Sequence, residues 1–254
     1  MVRIGSMLQI NRIRSILQNQ SIDIISTSQM TQRNDYIQRI NVNVKRKRRK
    51  AAVLVLICQH KGTPSILFTK RSKNVSTHKS QISFPGGHIH QNENGIETET
   101  EERAAIREFQ EECPGVVSII SRHQKEDQEF NIMEAIDVLG KTQPIPALTG
   151  TLVTPVIAII KHDLCDLNEA IETDRKVENY HSHKNDEVDQ IFFRSIEELI
   201  QSEKMQTIKW SRTNDFTHSE DTKAPVYPGN EGQIWGLTAF ILRPILNLLS
   251  TTKL

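Results

Sequence analysis

Between Ser83 and Gly115 the chain changes character twice, and this stretch restricts the possible folds more than any other. An apolar strand pattern, "QISF", runs into the Pro85-Gly86-Gly87 break. Gln91 to Gly95 is too polar to be anything but loop, and "EERAAIREFQEE" then reads as helix until Pro114 and Gly115 stop it. Thr98 or Thr100 can cap that helix through a side-chain oxygen. Its apolar positions, Ala105, Ile106, Phe109 and Cys113, recur at three- and four-residue spacing, so one face must be buried. A strand that breaks at two glycines and returns as an amphipathic helix calls for a sheet with that helix lying on it.

The opposite face of the helix is chemically uncomfortable. Glu108 and Glu112 stand four apart, which places their carboxylates side by side, and Glu111 crowds the same end. Like charges there repel, and the C-terminal end of the helix dipole disfavours them further. Only Arg107 offers local relief. A divalent cation resolves the conflict, because Mg²⁺ takes oxygen ligands, commonly one or two carboxylates with water and substrate phosphate supplying the rest. A solvated acidic helix face is the competing reading of the same residues.

Around this unit the punctuation is regular. "AAVLVLIC" from Ala51 and "SILFTK" from Ser65 read as strands joined by the turn "KGTP", and they are expected to pair. "VVSII" and "TLVTPVIAII" suggest later strands, while "SIEELI" and Leu237 to Leu249 suggest helices. With a net charge of +1 over 254 residues, no global field points to nucleic acid. The longest apolar run falls far short of the roughly 20 residues a membrane-spanning helix needs. Cys58, Cys113 and Cys165 suit neither a disulfide framework nor a zinc site, so a reducing intracellular compartment is expected.

The first fifty residues lack proline and carry no acid before Asp23. Two readings stand side by side here: a basic amphipathic segment of the organelle-transit type, with Arg3, Arg12 and Arg14, or a terminal helix packed on the domain. The run "KRKRRK", Lys45 to Lys50, suits nuclear import, a phosphate-rich partner or a solvated linker. We therefore divide the chain into an extension at 1–50, a folded domain at 51–250 and a tail at 251–254.

The sequence Arg107-Glu108-Phe109-Gln110-Glu111-Glu112, set behind a strand ending in Phe-Pro-Gly-Gly, resembles the centre of the Nudix hydrolase signature, G-x5-E-x7-R-E-U-x-E-E-x-G-U. Glu99 falls at the spacing of its first glutamate. Glu93 stands where that signature has glycine, with Gly87 further back, and the closing glycine is Gly115 after one extra residue. The resemblance implies an α/β fold, an α/β/α sandwich around a mixed β-sheet. It implies that Glu108 and Glu112 ligate Mg²⁺ or Mn²⁺, that Glu111 assists, and that Arg107 orients a glutamate. Gly86 and Gly87 fit beside them, since bare backbone approaches a metal and a diphosphate closely.

Upstream, "LFTKRSKNVSTHKSQISFPGGH" from Leu67 to His88 resembles the signature of the coenzyme A diphosphatase branch, and "TGTLVTPVIAII", "NDEVDQIFFRSIEEL" and "IWGLTAFIL" are similar to that branch too, most of all to its mitochondrial animal form. Ser76 and Ser80 stand where that signature has Arg and Gly. Arg71 remains as the implied substrate contact, with Lys70, Lys73 and Lys79 nearby. The expected activity is metal-dependent hydrolysis of coenzyme A and acyl-CoA to adenosine 3',5'-bisphosphate and (acyl-)4'-phosphopantetheine. ADP-ribose or NADH is the alternative substrate, and a nucleic-acid or partner-binding module with a vestigial site is the alternative of another class. Glu187 is a candidate further carboxylate, or a plain surface acid. His181, His183 and His218 read as surface residues, Ser83 and Cys113 lack the setting of a nucleophile, and Trp235 reads as core. Mitochondria are the expected address. The terminal Thr252-Lys253-Leu254, which resembles a Ser-Lys-Leu signal, makes peroxisomes the alternative.

Overall fold

The computed structural model describes residues 2–19, 49–73, 80–122, 131–164, 187–208 and 222–251. Outside them lie Lys45 to Arg48 of the basic run, Ser76, Lys79, Cys165, His181, His183, His218 and Thr252 to Leu254.

Strand β1 (Lys50–His60) and β2 (Thr63–Arg71) pair antiparallel, with His60 opposite Thr63. The two residues between them, Lys61 and Gly62, both have positive φ (51° and 76°), the backbone twist that closes a two-residue hairpin. Six further strands complete the main sheet: β3 (Ile82–Ser83), β4 (Gly86–His88), β5 (Ile136–Lys141), β6 (Ile145–Pro146), β7 (Leu152–Asp163) and β8 (Val188–Ser195). β1 lies parallel to β7, whereas β1–β4, β2–β8 and β5–β7 are antiparallel, so the sheet is mixed. β9 (Lys204–Ile208) and β10 (Thr222–Val226) form a separate antiparallel pair.

The near-continuous apolar run in β1 is explained by burial on both faces. Val55 and Ile57 enter one core with Ile13 and Leu17 of α1 (Val2–Asn19) and with Leu242 and Leu246 of the last helix (Gly236–Thr251). Leu54, Leu56 and Cys58 enter the other, against Ala105, Ile106 and Phe109 of α2 (Glu101–Glu112). Helices thus cover both faces, and the α/β/α sandwich agrees with the expectation. α1 packs on this body: Ile10, Ile13, Ile16 and Leu17 are buried, and Arg14 Nε lies 3.0 Å from an Asp137 carboxylate oxygen. No described helix is long and apolar enough to cross a membrane.

Two expectations need correction. "VVSII" is not a strand but part of α3 (Pro114–Arg122), whose buried Val116, Ile119 and Ile120 follow helical spacing. Pro114 ends α2 but suits the first position of a new helix, where its missing N–H costs nothing. Trp235 is 48% exposed, so it is not a core residue. After α3 come α4 (Ile132–Ala135) and α5 (Ile196–Ser202), and the last helix is α6.

Candidate active site

α2 begins where Thr100 accepts a hydrogen bond from the Arg103 N–H at 3.3 Å, which selects Thr100 over Thr98 as the cap. From that start, the buried Ala105, Ile106 and Phe109 orient the helix so that Arg107, Glu108, Glu111 and Glu112 meet β4 and the loop behind it. The sequence-predicted residues do come together here.

Arg107 is the hub of this assembly. Its Nε and Nη2 donate to the two oxygens of Glu99 at 3.2 and 2.9 Å, Nη1 donates to Glu108 Oε1 at 2.9 Å and to Glu111 at 3.2 Å, and Nη2 also reaches the His88 carbonyl at 3.1 Å. These bonds hold the Glu99 carboxyl below its usual range, chiefly through the guanidinium itself, and raise the Arg107 pKa further. The loop between Gly87 and Glu99 is secured independently. Its Asn92 side chain accepts from the Asn94 and Ile96 N–H groups, and Lys50 pairs with Glu97 at 2.9 Å. The role of Glu99 in gripping Arg107 was only hinted at by its spacing.

Glu112 is only 7% exposed and accepts from the Gly86 N–H at 3.2 Å. Burial pushes its carboxyl up to about 8; the Gly86 bond opposes the rise, and the charges of Glu108 and Glu187 add to it. Burial also raises Glu108, against the pull of Arg107. Gly87 explains the paired glycines from the other side: a Cβ there would overlap the Glu108 carboxylate. Glu111, by contrast, is 57% exposed; it pairs with Arg107 at 3.2 Å, and its charge adds to the rise at Glu108.

Arg71 and Glu187 join the rim. The Ser72 N–H donates to the Glu187 carbonyl at 2.7 Å, bringing the end of β2 beside the start of β8, and Arg71 Nη2 lies 3.8 Å from Glu187 Oε2. Arg71 is near enough to lower the Glu112 pKa and Glu187 near enough to raise those of Glu108 and Glu112, so both border the carboxylates. Cys113 is buried and its thiol pushed well up, which agrees with excluding it as a nucleophile.

The donor set fits a hard divalent cation. Two neighbouring carboxylates are both raised by burial, Glu112 to about 8 even with the charge of Arg71 nearby, and carboxylate oxygen is what such an ion takes. Among the described residues no three His, Cys, Asp or Glu side chains form a ready-made ligand set. Water and substrate phosphate would have to complete the coordination.

Comparison with known proteins places the chain in a family. Residues 48–216 match the model of the NUDIX domain. The chain is 28% identical over 202 residues to the Mus musculus protein described as mitochondrial coenzyme A diphosphatase NUDT8, covering 79% of this chain and 78% of the relative. It is 29% identical over 197 residues to the uncharacterized Nudix hydrolase NudL of Klebsiella pneumoniae, covering 78% and 81%. A solved MutT/nudix family protein from Enterococcus faecalis aligns with 95% of this chain and 73% of its own, at 14% identity and a TM-score of 0.39.

Proposed function

Since the chain belongs to the Nudix family, hydrolases that act on diphosphate bonds of small molecules and generally need divalent metal ions, we propose that its substrates are coenzyme A and acyl-CoA. The products are adenosine 3',5'-bisphosphate and 4'-phosphopantetheine or its acyl form. The observation that carries this reading is the position of Arg71. It belongs to the segment Leu67 to His88 that resembles the coenzyme A branch, and its charge acts on Glu112 at the centre of the site. The similarity to the mouse protein supports the same choice.

Glu108 and Glu112 would hold the cation, Mg²⁺ or Mn²⁺, which would supply charge neutralisation of the diphosphate and acidity for a water. Arg107 fixes Glu108 and Glu99 in one frame, and Glu111 steadies the outer side of the guanidinium. Gly86 and Gly87 let the backbone come close to the phosphates. Glu108, half-buried, or Glu187 at the rim takes the proton from the attacking water. Arg71 meets the anionic substrate.

A substrate panel in Mg²⁺ tests the reading. Coenzyme A should give the highest kcat/KM, ahead of ADP-ribose and NADH, and Arg71→Glu should raise KM for coenzyme A. A preference for ADP-ribose or NADH would assign the other substrate class, and no turnover of any diphosphate would favour a binding module. The domain at 51–250 is proposed as the catalytic unit and the mitochondrion as its address, with the peroxisome as the alternative. Tags placed at each end in turn, followed by imaging, separate the two addresses.

A further inference from the structure

Lys70 stands beside Arg71 in the chain but points away from the proposed site. Successive strand residues face opposite sides of a sheet, and Lys70 pairs with Ile82, which lies in the core under α6, whereas Arg71 borders the carboxylates on the α2 side. There the Lys70 ammonium donates to the Glu231 carbonyl at 2.8 Å. The Glu231 side chain is held in turn by Arg194 of β8, whose Nε donates to its carboxylate at 3.1 Å. Arg194 pairs with Ile66, another residue of the core under α6, so both cations meet Glu231 on one face of the sheet.

Glu231 belongs to a loop closed by mutual backbone bonds between Tyr227 and Ile234, 2.9 and 3.0 Å long. The Arg194 guanidinium fills this loop: Nη1 donates to the Tyr227 carbonyl at 3.0 Å, Nη2 donates to the Gly232 carbonyl, and a Cβ on Gly229 would overlap it. Arg194 is 1% exposed, and a charge so deeply buried is tolerated only with its partners in place. The loop is therefore a fixed body to which Lys70 is tied.

The end of β2 is where such an anchor matters. Pairing with β1 stops at Ile66, β3 adds only Thr69–Ser83 and Lys70–Ile82, and the register with β8 slips between Lys70 and Arg71, leaving Val188 opposite Arg71. Arg71 also exchanges backbone bonds with Gln81 and Ser80, which lie outside any strand. Its guanidinium is not fixed by its own contacts: Nε is buried without a hydrogen-bond partner among the described residues, and Nη2 lies 3.8 Å from Glu187. The placement of Arg71 is thus inherited from the backbone that Lys70 shares.

We propose that Lys70 is a positioning residue for Arg71: the loop at 227–234, filled by Arg194, anchors Lys70 on one face of β2 and so sets where Arg71 meets the anionic substrate on the other. The inference rests on the proposed contact of Arg71 with coenzyme A and names what holds that contact in place.

The test measures KM and kcat for coenzyme A in the full-length wild type, Lys70→Met, Lys70→Arg, Glu231→Ala, Arg71→Ala and Lys70→Met/Arg71→Ala, with circular dichroism on each. Lys70→Met should raise KM about fivefold with kcat within about twofold of wild type, and Lys70→Arg, which can also donate to a carbonyl, should restore KM. In the Arg71→Ala background, Lys70→Met should change KM by less than about twofold, because a residue that acts through another has nothing left to act on. Glu231→Ala supplies the sign: removing a carboxylate near an anionic substrate would lower KM if charge alone mattered, whereas loosening the anchor raises it. An unchanged KM in Lys70→Met, a KM effect that persists in the double variant, a lower KM in Glu231→Ala, or a loss carried mainly by kcat would overturn the positioning role while leaving Arg71 as a substrate contact. If Arg71→Ala itself leaves KM unchanged, the contact and its anchor fall together. If ADP-ribose or NADH proves the better substrate, the coenzyme A reading fails, and the same cycle run on that substrate decides the anchor by the same criteria.

Discussion

Arg107 grips Glu99 with two nitrogens, Nε at 3.2 Å and Nη2 at 2.9 Å, while Nη1 reaches Glu108 at 2.9 Å. One planar group therefore ties the end of a loop to the helix carboxylate that faces Gly87, and three separate pieces of chain share one geometry. Lysine cannot reproduce this fork, because its ammonium is a single compact charge. Arg107→Lys is expected to keep the fold, as judged by circular dichroism, and to lose about 100-fold in kcat, the order that misplacement by an ångström can cost. Turnover within a few-fold of wild type would remove Arg107 from its positioning role.

Glu112 gives a signed pH dependence. Its folded-state carboxyl is raised from 4.5 to about 8, so the fold prefers the protonated form. The resulting stability is fully present below pH 4.5, declines from there towards pH 8 as the unfolded chain releases a proton that the fold retains, and is gone above it. In Glu112→Gln this decline is absent, so the variant without metal should gain on wild type in thermal stability as pH rises to 8, while hydrolysis is abolished. Cation binding below pH 8 must also displace this proton. Titration of wild type with Mg²⁺ in buffers of different ionisation enthalpy should therefore show proton release, and none attributable to this group in the variant. Parallel pH profiles for the two proteins would refute the assignment.

α1 adds apolar surface to the core rather than hanging from it. Ile13 is fully buried and Leu17 nearly so, in the same cluster as Val55 and Leu242. Leu17→Ala should cost about 2–5 kcal/mol of stability, the range for truncating a buried leucine, with kcat unaffected at temperatures where the protein remains folded. Urea unfolding measures it, and a change below about 0.5 kcal/mol would mean that α1 is not seated on the sheet in solution.

The helix, its cap and its buried face were legible in the sequence because periodicity and capping are local properties. Glu108 and Glu112 were legible as a pair for the same reason. The burial of Glu112 was not: it depends on Gly86 and β4, more than twenty residues away in the chain, closing over the helix end. The same is true of Glu99, whose loop departs from the family spacing yet delivers the carboxylate because Arg107 and the His90 N–H, at 2.9 Å, both capture it. "VVSII" misled because a short β-branched run fits either period, and the proline before it, read as a stop, was also a start. Trp235 misled because an apolar neighbourhood in sequence does not fix which way one side chain faces.

Gly86 and Gly87 stand together but answer to different constraints. A Cβ on Gly86 would meet backbone, the Ala52 carbonyl oxygen and the Val53 Cα, neither of which can move without disturbing β1. For a Cβ on Gly87 the nearest atoms are all in the Glu108 carboxyl group, the far end of a side chain that can swing aside. Gly86→Ala should therefore damage the fold, whereas Gly87→Ala should fold with a Tm close to wild type and fail at the site. Swinging Glu108 away breaks its bond to Arg107 and separates it from Glu112, so Mg²⁺ affinity and kcat should fall together, kcat by about 100-fold or more. Thermal melts, magnesium titration and steady-state rates on the same preparation check the three parts. If Gly87→Ala retained wild-type kcat and Mg²⁺ affinity, close approach of β4 to Glu108 would not be what the second glycine is for.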